Sequence, residues 1–123
     1  MIKNILLVGL GGAVGSILRY LTSIWIDKQF QALFPWAIFL VNITGCLLIG
    51  LLIGLSARHQ VANPEMRLLL VTGFCGGYTT FSTFASENFN LLQGGHTWTA
   101  MFYIAGSVLV GISAVWLGMN IVK

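Results

Sequence analysis

Hydrophobic residues run through the chain in four long stretches separated by short polar connections. They cover residues 5–26, 36–57, 66–93 and 98–122. A membrane-crossing helix needs about 20 consecutive apolar residues, and each stretch meets that length. The pattern predicts an all-α membrane protein of four transmembrane helices in a single domain, residues 1–123. The run that follows Met1-Ile2-Lys3 outlasts the apolar core of a signal peptide, so it reads as a retained span.

The third stretch departs from the pattern. It is long for a straight span, and it holds Gly73-Phe74-Cys75-Gly76-Gly77-Tyr78-Thr79-Thr80-Phe81-Ser82-Thr83-Phe84 at membrane depth. Backbone polar groups in hydrocarbon must be paired, so irregular backbone survives there only inside protein or beside a cavity. The stretch therefore predicts a broken third helix, with half-helices over residues 66–74 and 81–92 and Thr79 and Thr80 as caps of the second half. Broken membrane helices place dipole ends and free carbonyls at ion sites.

Composition strengthens the membrane reading. The chain is 57% hydrophobic and 7% charged, against about 25% charged residues in a soluble domain. Its net charge of +3 is too sparse for a nucleic-acid footprint, which needs clustered Lys and Arg. Four spans put both termini on one side. Lys3, Arg58, Arg67 and Lys123 fall there, while Lys28 and the deeper Arg19 fall on the other side with Trp25, Trp36 and Trp98. That distribution favours cytoplasmic termini. Cys46 and Cys75 have no metal spacing and no disulfide framework, and read as small buried side chains. His59 and His96 sit in connections without partner ligands. The 63–65 run, Asn-Pro-Glu, predicts a helix start, and residues 94–97, Gly-Gly-His-Thr, a tight turn.

Polar residues within the spans are the candidates for chemistry. In span one, Gly11 and Gly15, and Gly12 and Ser16, are one turn apart, a spacing that lets helix backbones approach. Arg19 continues that face and reads either as snorkelling to the interface or as a structural or vestibule residue. In span two, Asn42 shares a face with Gly45, Cys46, Ile49, Gly50 and Ile53. It reads as an interhelical hydrogen bond or as a donor aimed at a permeating ion. In span three, Phe81, Phe84 and Asn88 form one face, Ser82 and Ser86 a second, and Thr83, Glu87 and Asn90 a third. In span four, Tyr103, Ser107 and Gly111 share a face and suit either helix glue or pore lining.

The chain resembles the Fluc (CrcB) family of small fluoride channels over almost its whole length. The resemblance rests on the Gly-rich first span with Arg19, on Val41-Asn42-x-x-Gly45, and above all on the run from Gly73 to Phe84. It implies an antiparallel homodimer in which the same chain inserts in both orientations. It also implies two pores, passive export of fluoride from the cytoplasm, exclusion of chloride, and a central structural sodium ion. By motif position the sodium carbonyls fall on Gly76 and Thr79, the pore phenylalanines on Phe81 and Phe84, and the pore asparagine on Asn42. The polar track falls on Ser82, Thr83, Tyr103, Ser107 and Glu87. Gly111 stands where some members carry serine. The implied location is a prokaryotic plasma membrane, the inner membrane in a Gram-negative cell.

Such residues suit a small, tightly hydrated anion. Burying a compact ion costs of order 20 kcal/mol by the Born estimate. Positive ring edges of Phe81 and Phe84 contribute only about 0.5–1.5 kcal/mol for an aromatic contact. Hydrogen bonds to a charged group contribute about 1.5–3 kcal/mol each, so Asn42, Ser82, Thr83 and Ser107 are required as donors. A proton-coupled exporter of organic cations is the competing class. It needs a deep carboxylate, and Glu87 is the one acid within the spans. No nucleophile–base pair or ligand cluster suggests an enzyme.

Overall fold

The computed structural model describes residues 1–59 and 63–122. Part of the expected second connection lies outside the described residues, as do Lys123 and the side chains of Arg58 and His59. Every regular element among the described residues is helical: α1 (Ile2–Gln29), α2 (Trp36–His59), α3 (Pro64–Arg67), a π-helical segment (Leu68–Cys75), α4 (Gly76–Tyr78), α5 (Phe81–Gln93) and α6 (Thr97–Ile121). Four helical stretches are long and apolar enough to cross a membrane, the third running Pro64–Gln93 through the short elements.

The ends of these helices follow local chemistry. Asn63 Oδ1 accepts from the Glu65 N–H at 3.0 Å, with Pro64 at the first helical position. Lys3 closes on Glu65 with Nζ–Oε1 2.7 Å, joining the start of α1 to that of α3; both side chains are well exposed, so the pair contributes little. The chain leaves α5 through Gly95, whose φ of 81° lies in the left-handed region that glycine enters without steric cost. α1 runs beyond the apolar stretch at both ends, and the Phe30 N–H still reaches Ile26 O at 2.9 Å. The first connection therefore starts at Phe30, three residues after the expected Asp27.

Two packed pairs build the molecule. α1 lies along the π-helical segment and α4, and α2 lies along α6. Small residues set both crossings. A Cβ on Gly11 would strike Leu69 O and one on Gly15 would strike Phe74 O, both backbone atoms. Gly12 faces Gly77 in the same seam. In the second pair, Gly50 lies on Val115 and Gly118 on the backbone of Leu47 and Leu51. Close backbone approach through small residues is the main packing device where burial from water no longer separates one apolar face from another. The glycine face read in span one thus finds its partner in span three. The outward faces remain apolar and uncovered, as at Leu10 (61% exposed) and Ile112 (67%), which suits contact with lipid.

A buried aromatic cluster lies where α5 meets α6 and the first connection. Leu91, Ala100 and Tyr103 form a buried cluster, with Phe34, Phe39 and Phe84 packed against it. Tyr103 is fully buried. Phe34 meets it edge-on at a centroid distance of 5.3 Å and Phe84 at 4.8 Å, the geometry that aromatic quadrupoles favour.

Candidate functional site

Helical backbone persists further into the glycine-rich run than its composition suggests. The half-helices expected over residues 66–74 and 81–92 leave 75–80 irregular, but the π-helical segment and α4 carry the chain to Tyr78. Only Thr79 (φ −85°, ψ 157°) and Thr80 (φ −149°, ψ 121°) are extended before α5 begins. The glycines at 73 and 77 therefore serve packing against α1, while the two threonines carry the change of direction.

Several polar groups released at this point have identified partners. Thr79 donates twice to Cys75 O, from its N–H at 3.0 Å and its Oγ1 at 2.9 Å. The Thr80 N–H, which a continuing helix would direct to Gly76 O, goes instead to Asn42 Oδ1 at 2.9 Å. Asn42 Nδ2 donates to Thr80 O at 3.1 Å. Thr80 then caps α5: its Oγ1 accepts from the Thr83 N–H at 3.3 Å. That N–H is the one a helix would direct to Thr79 O. The carbonyls of Gly76 and Thr79 thus lack their usual i+4 donors. Gly76 is exposed, and its Cα faces open space. Arg19 reaches the same place from α1, donating from Nε to Gly77 O at 3.1 Å. Of the two readings of Arg19, this contact gives it a structural partner within the protein.

A cleft of about 450 Å³ opens beside the two threonines. Asn42, Gly45, Cys46 and Ile49 of α2 form one wall, and residues from Val71 to Phe84 form the other, with Ser107 and Val108 of α6 closing it. The face read in span two is therefore the cleft face as far as Ile49, after which Gly50 turns to α6. Phe81 and Phe84 both line the cleft, with ring centroids 5.7 Å apart. Phe81 is 77% exposed, whereas Phe84 is held by its edge contact with Tyr103. The Ser107 hydroxyl is buried without a hydrogen-bond partner, and an Asn amide has two N–H donors, of which Asn42 gives one to Thr80.

The remaining candidates are distributed around this centre. Ser82 is exposed at the start of α5, and its Oγ lies 3.3 Å from Thr80 Oγ1. Thr83 Oγ1 accepts from Thr80 Oγ1 at 3.3 Å. Tyr103 and Glu87 do not line the cleft. The Tyr103 hydroxyl donates to Glu87 Oε1 at 2.7 Å, forming a separate polar pair behind Phe84. Gly111 faces Cys46, whose Sγ would lie 3.5 Å from a Cβ placed there.

Some contributors were not marked as site residues by sequence spacing. Tyr78 OH and Thr44 Oγ1 lie 3.0 Å apart, tying α4 to α2 next to the cleft. Asn88 is buried, its Nδ2 donating to Phe84 O at 3.0 Å. The first depends on how helices cross, which no local pattern encodes, whereas the Asn88 bond is a local contact one turn back within α5. Cys46 and Cys75 were read as packing only; Cys75 is buried, Cys46 is partly exposed, and both border the cleft.

Comparison with known proteins bears on this arrangement. Residues 6–119 match the family model described as CrcB-like protein, Camphor Resistance (CrcB). The chain is 48% identical over 121 residues to a protein of Flavobacterium psychrophilum named fluoride-specific ion channel FluC, covering 98% of each chain. A Phocaeicola vulgatus protein of the same name is 49% identical over 117 residues, covering 95% of this chain and 96% of its own. One from Rhizobium meliloti, also so named, is 44% identical over 121 residues, covering 98% and 97%.

Proposed function

The chain belongs to the CrcB family, and from that premise we propose that it is a multi-pass membrane channel for fluoride, working passively to lower fluoride in a prokaryotic cytoplasm. The observation that carries the reading is the wall of the cleft. There Phe81 and Phe84 line the same cleft as Asn42 and as Ser107, whose hydroxyl has no hydrogen-bond partner. The relatives' names supply the ion, and the donor set suits it. Ring edges are positive, and hydrogen bonds to a charged group contribute about 1.5–3 kcal/mol each. Ser82 and Thr83 extend the donors along α5. Tyr103 and Glu87 support the site by holding Phe84 from behind.

The active unit in this reading is an antiparallel homodimer whose chains insert in opposite orientations and give two pores. The exposed Phe81 and Ser82 at the start of α5 leave a surface for the second chain. A central sodium ion would be held by the backbone carbonyls of Gly76 and Thr79. These residues fit such an ion because their usual i+4 donors, the N–H groups of Thr80 and Thr83, bond to Asn42 and Thr80 instead. Hard cations take oxygen ligands. When bound, the ion would supply a fixed positive field beside the anion path. Arg19 orients the adjoining Gly77 carbonyl, and Asn42 keeps the Thr80 backbone extended.

Purified protein in liposomes loaded with potassium fluoride should release fluoride once potassium is allowed to move, as read by a fluoride electrode. The same vesicles loaded with chloride should hold it. Equal release of both ions, or of neither, refutes the proposal.

A further inference from the structure

Between the two residues whose carbonyls are proposed for the sodium ion, Gly76 and Thr79, stands one large side chain, Tyr78, and no step of fluoride passage uses it. It is the last helical residue before the two extended threonines, and it is buried. A Cβ on Gly15 of α1 would lie 2.9 Å from Tyr78 N, and one on Gly45 of α2 would lie 3.2 Å from its ring. Its hydroxyl lies 3.0 Å from Thr44 Oγ1. The one hydroxyl hydrogen of Thr44 faces Leu40 O at 2.8 Å and Val41 O at 3.1 Å, so the Tyr78 O–H donates to Thr44. We infer that this hydrogen bond positions the sodium site: Thr44, acting through Tyr78, sets where the Gly76 and Thr79 carbonyls stand. The inference rests on the sodium reading above and assigns that site a positioning pair.

Two neighbouring residues of α2 divide the work. A trans peptide is planar, with its N–H and C=O pointing opposite ways. Asn42 Oδ1 accepts from the Thr80 N–H at 2.9 Å, so it turns the Thr79 carbonyl away from Asn42. That fixes a direction. The place of the carbonyl follows from the Thr79 Cα, which Tyr78 carries. The Thr79 N–H and Oγ1 tie it back to Cys75 O at 3.0 and 2.9 Å, within the same helical stretch, and so do not register the segment against α2. The Tyr78 hydroxyl does, because Thr44 lies two residues after Asn42 on a continuous helix. The Phe74 ring, stacked on Tyr78 at a centroid distance of 6.0 Å, holds the ring and leaves the hydroxyl to Thr44. A binding constellation has to be held within about 0.5 Å of its productive geometry, and a bond from a long helix to the residue between the two ligands serves that end.

The test reads sodium binding to the full-length protein in detergent from its melting temperature, without ion flux. Sodium chloride replaces choline chloride stepwise at constant ionic strength, since a ligand that binds only the folded protein raises its melting temperature. Wild type should show a rise specific to sodium. Tyr78→Phe, which keeps the ring, and Thr44→Val, which removes the acceptor, should each raise the sodium concentration needed for a given rise about five-fold, the scale of one neutral hydrogen bond. The double variant should need no more sodium than either single one, and Thr44→Ser should behave as wild type. A contact that merely supports the fold lowers the melting temperature in choline and leaves the sodium requirement unchanged. That result overturns the inference alone, as does an equal loss in Thr44→Ser or additive losses in the double variant. Should Tyr78→Phe fail to elute as a monodisperse peak, Thr44→Val against Thr44→Ser decides. Wild type that melts alike in sodium and choline removes the sodium site itself, and the inference with it.

Discussion

Asn42 and Thr80 exchange a pair of hydrogen bonds across the cleft: the Thr80 N–H donates to Asn42 Oδ1 at 2.9 Å and Asn42 Nδ2 donates to Thr80 O at 3.1 Å. One side chain thus supplies the partner that the Thr80 N–H gives up at membrane depth, and adds a bond to the Thr80 carbonyl, which as N-cap of α5 also takes the first bond of that helix. Asn42→Ala strands the Thr80 N–H, at about 1–3 kcal/mol for a donor left buried and unpaired. The variant should unfold at a clearly lower temperature than wild type by circular dichroism, and its fluoride efflux should fall at least ten-fold. An unchanged melting temperature would mean that water serves Thr80 as well as Asn42 does.

The seam between α1 and the glycine-rich segment makes a second prediction. A Cβ on Gly11 or Gly15 meets backbone oxygen, which cannot swing aside, whereas one on Gly9 meets nothing within 4 Å. Overpacking of this kind costs about 1–3 kcal/mol. Gly11→Ala and Gly15→Ala should therefore lower thermal stability, while Gly9→Ala should leave it unchanged or raise it. Size-exclusion profiles and tryptophan fluorescence melts in detergent distinguish the three.

How much of this was legible in the sequence depends on whether the cause is local. Helix-length apolar runs announced four long helices, and Asn63-Pro64-Glu65 announced the start of α3, because length and capping act over a few residues. The Gly11–Gly15 spacing announced a close helix contact but not its partner, since any small-residue face could have met it. The extent of the irregular backbone was read too widely. Glycine permits irregular backbone without requiring it, and here Gly76 and Gly77 stay helical, with Gly77 packed on Gly12 of α1, where a side chain would not fit. The Asn42–Thr80 exchange was half legible: polar glue was one reading of Asn42, but its target is a backbone amide 38 positions away. The pairing of Tyr103 with Glu87 was not legible, because it depends on the angle at which α5 meets α6.

That pairing has its own test. The Tyr103 hydroxyl donates to Glu87 Oε1 at 2.7 Å within a largely apolar setting. Directly bonded side chains show coupling energies of about 0.5–3 kcal/mol in double-mutant cycles. Tyr103→Phe and Glu87→Ala should each destabilise the protein, and the double variant should be less destabilised than the two losses added together. Chemical denaturation of the four proteins in one detergent gives the coupling. Strict additivity would show that the two side chains contribute independently.

The two phenylalanines of the cleft separate packing from conduction. Both border it, but Phe84 is gripped edge-on by Tyr103 at a centroid distance of 4.8 Å, and Phe81 is 77% exposed. Isoleucine has no ring edge and no quadrupole, so either substitution removes the positive edge an anion would meet. Phe81→Ile should cut fluoride efflux at least ten-fold while lowering the melting temperature less than Phe84→Ile does, because Phe84 has the edge contact with Tyr103 to lose. Phe84→Ile should cut efflux comparably and also lower stability by about 1 kcal/mol or more, because the edge contact with Tyr103 goes as well. Efflux from liposomes and melting in detergent, measured on the same preparations, give the two readouts. Wild-type efflux from a correctly folded Phe81→Ile protein would remove the ring edge from the conduction mechanism and leave the Asn42 and Ser107 donors to carry it.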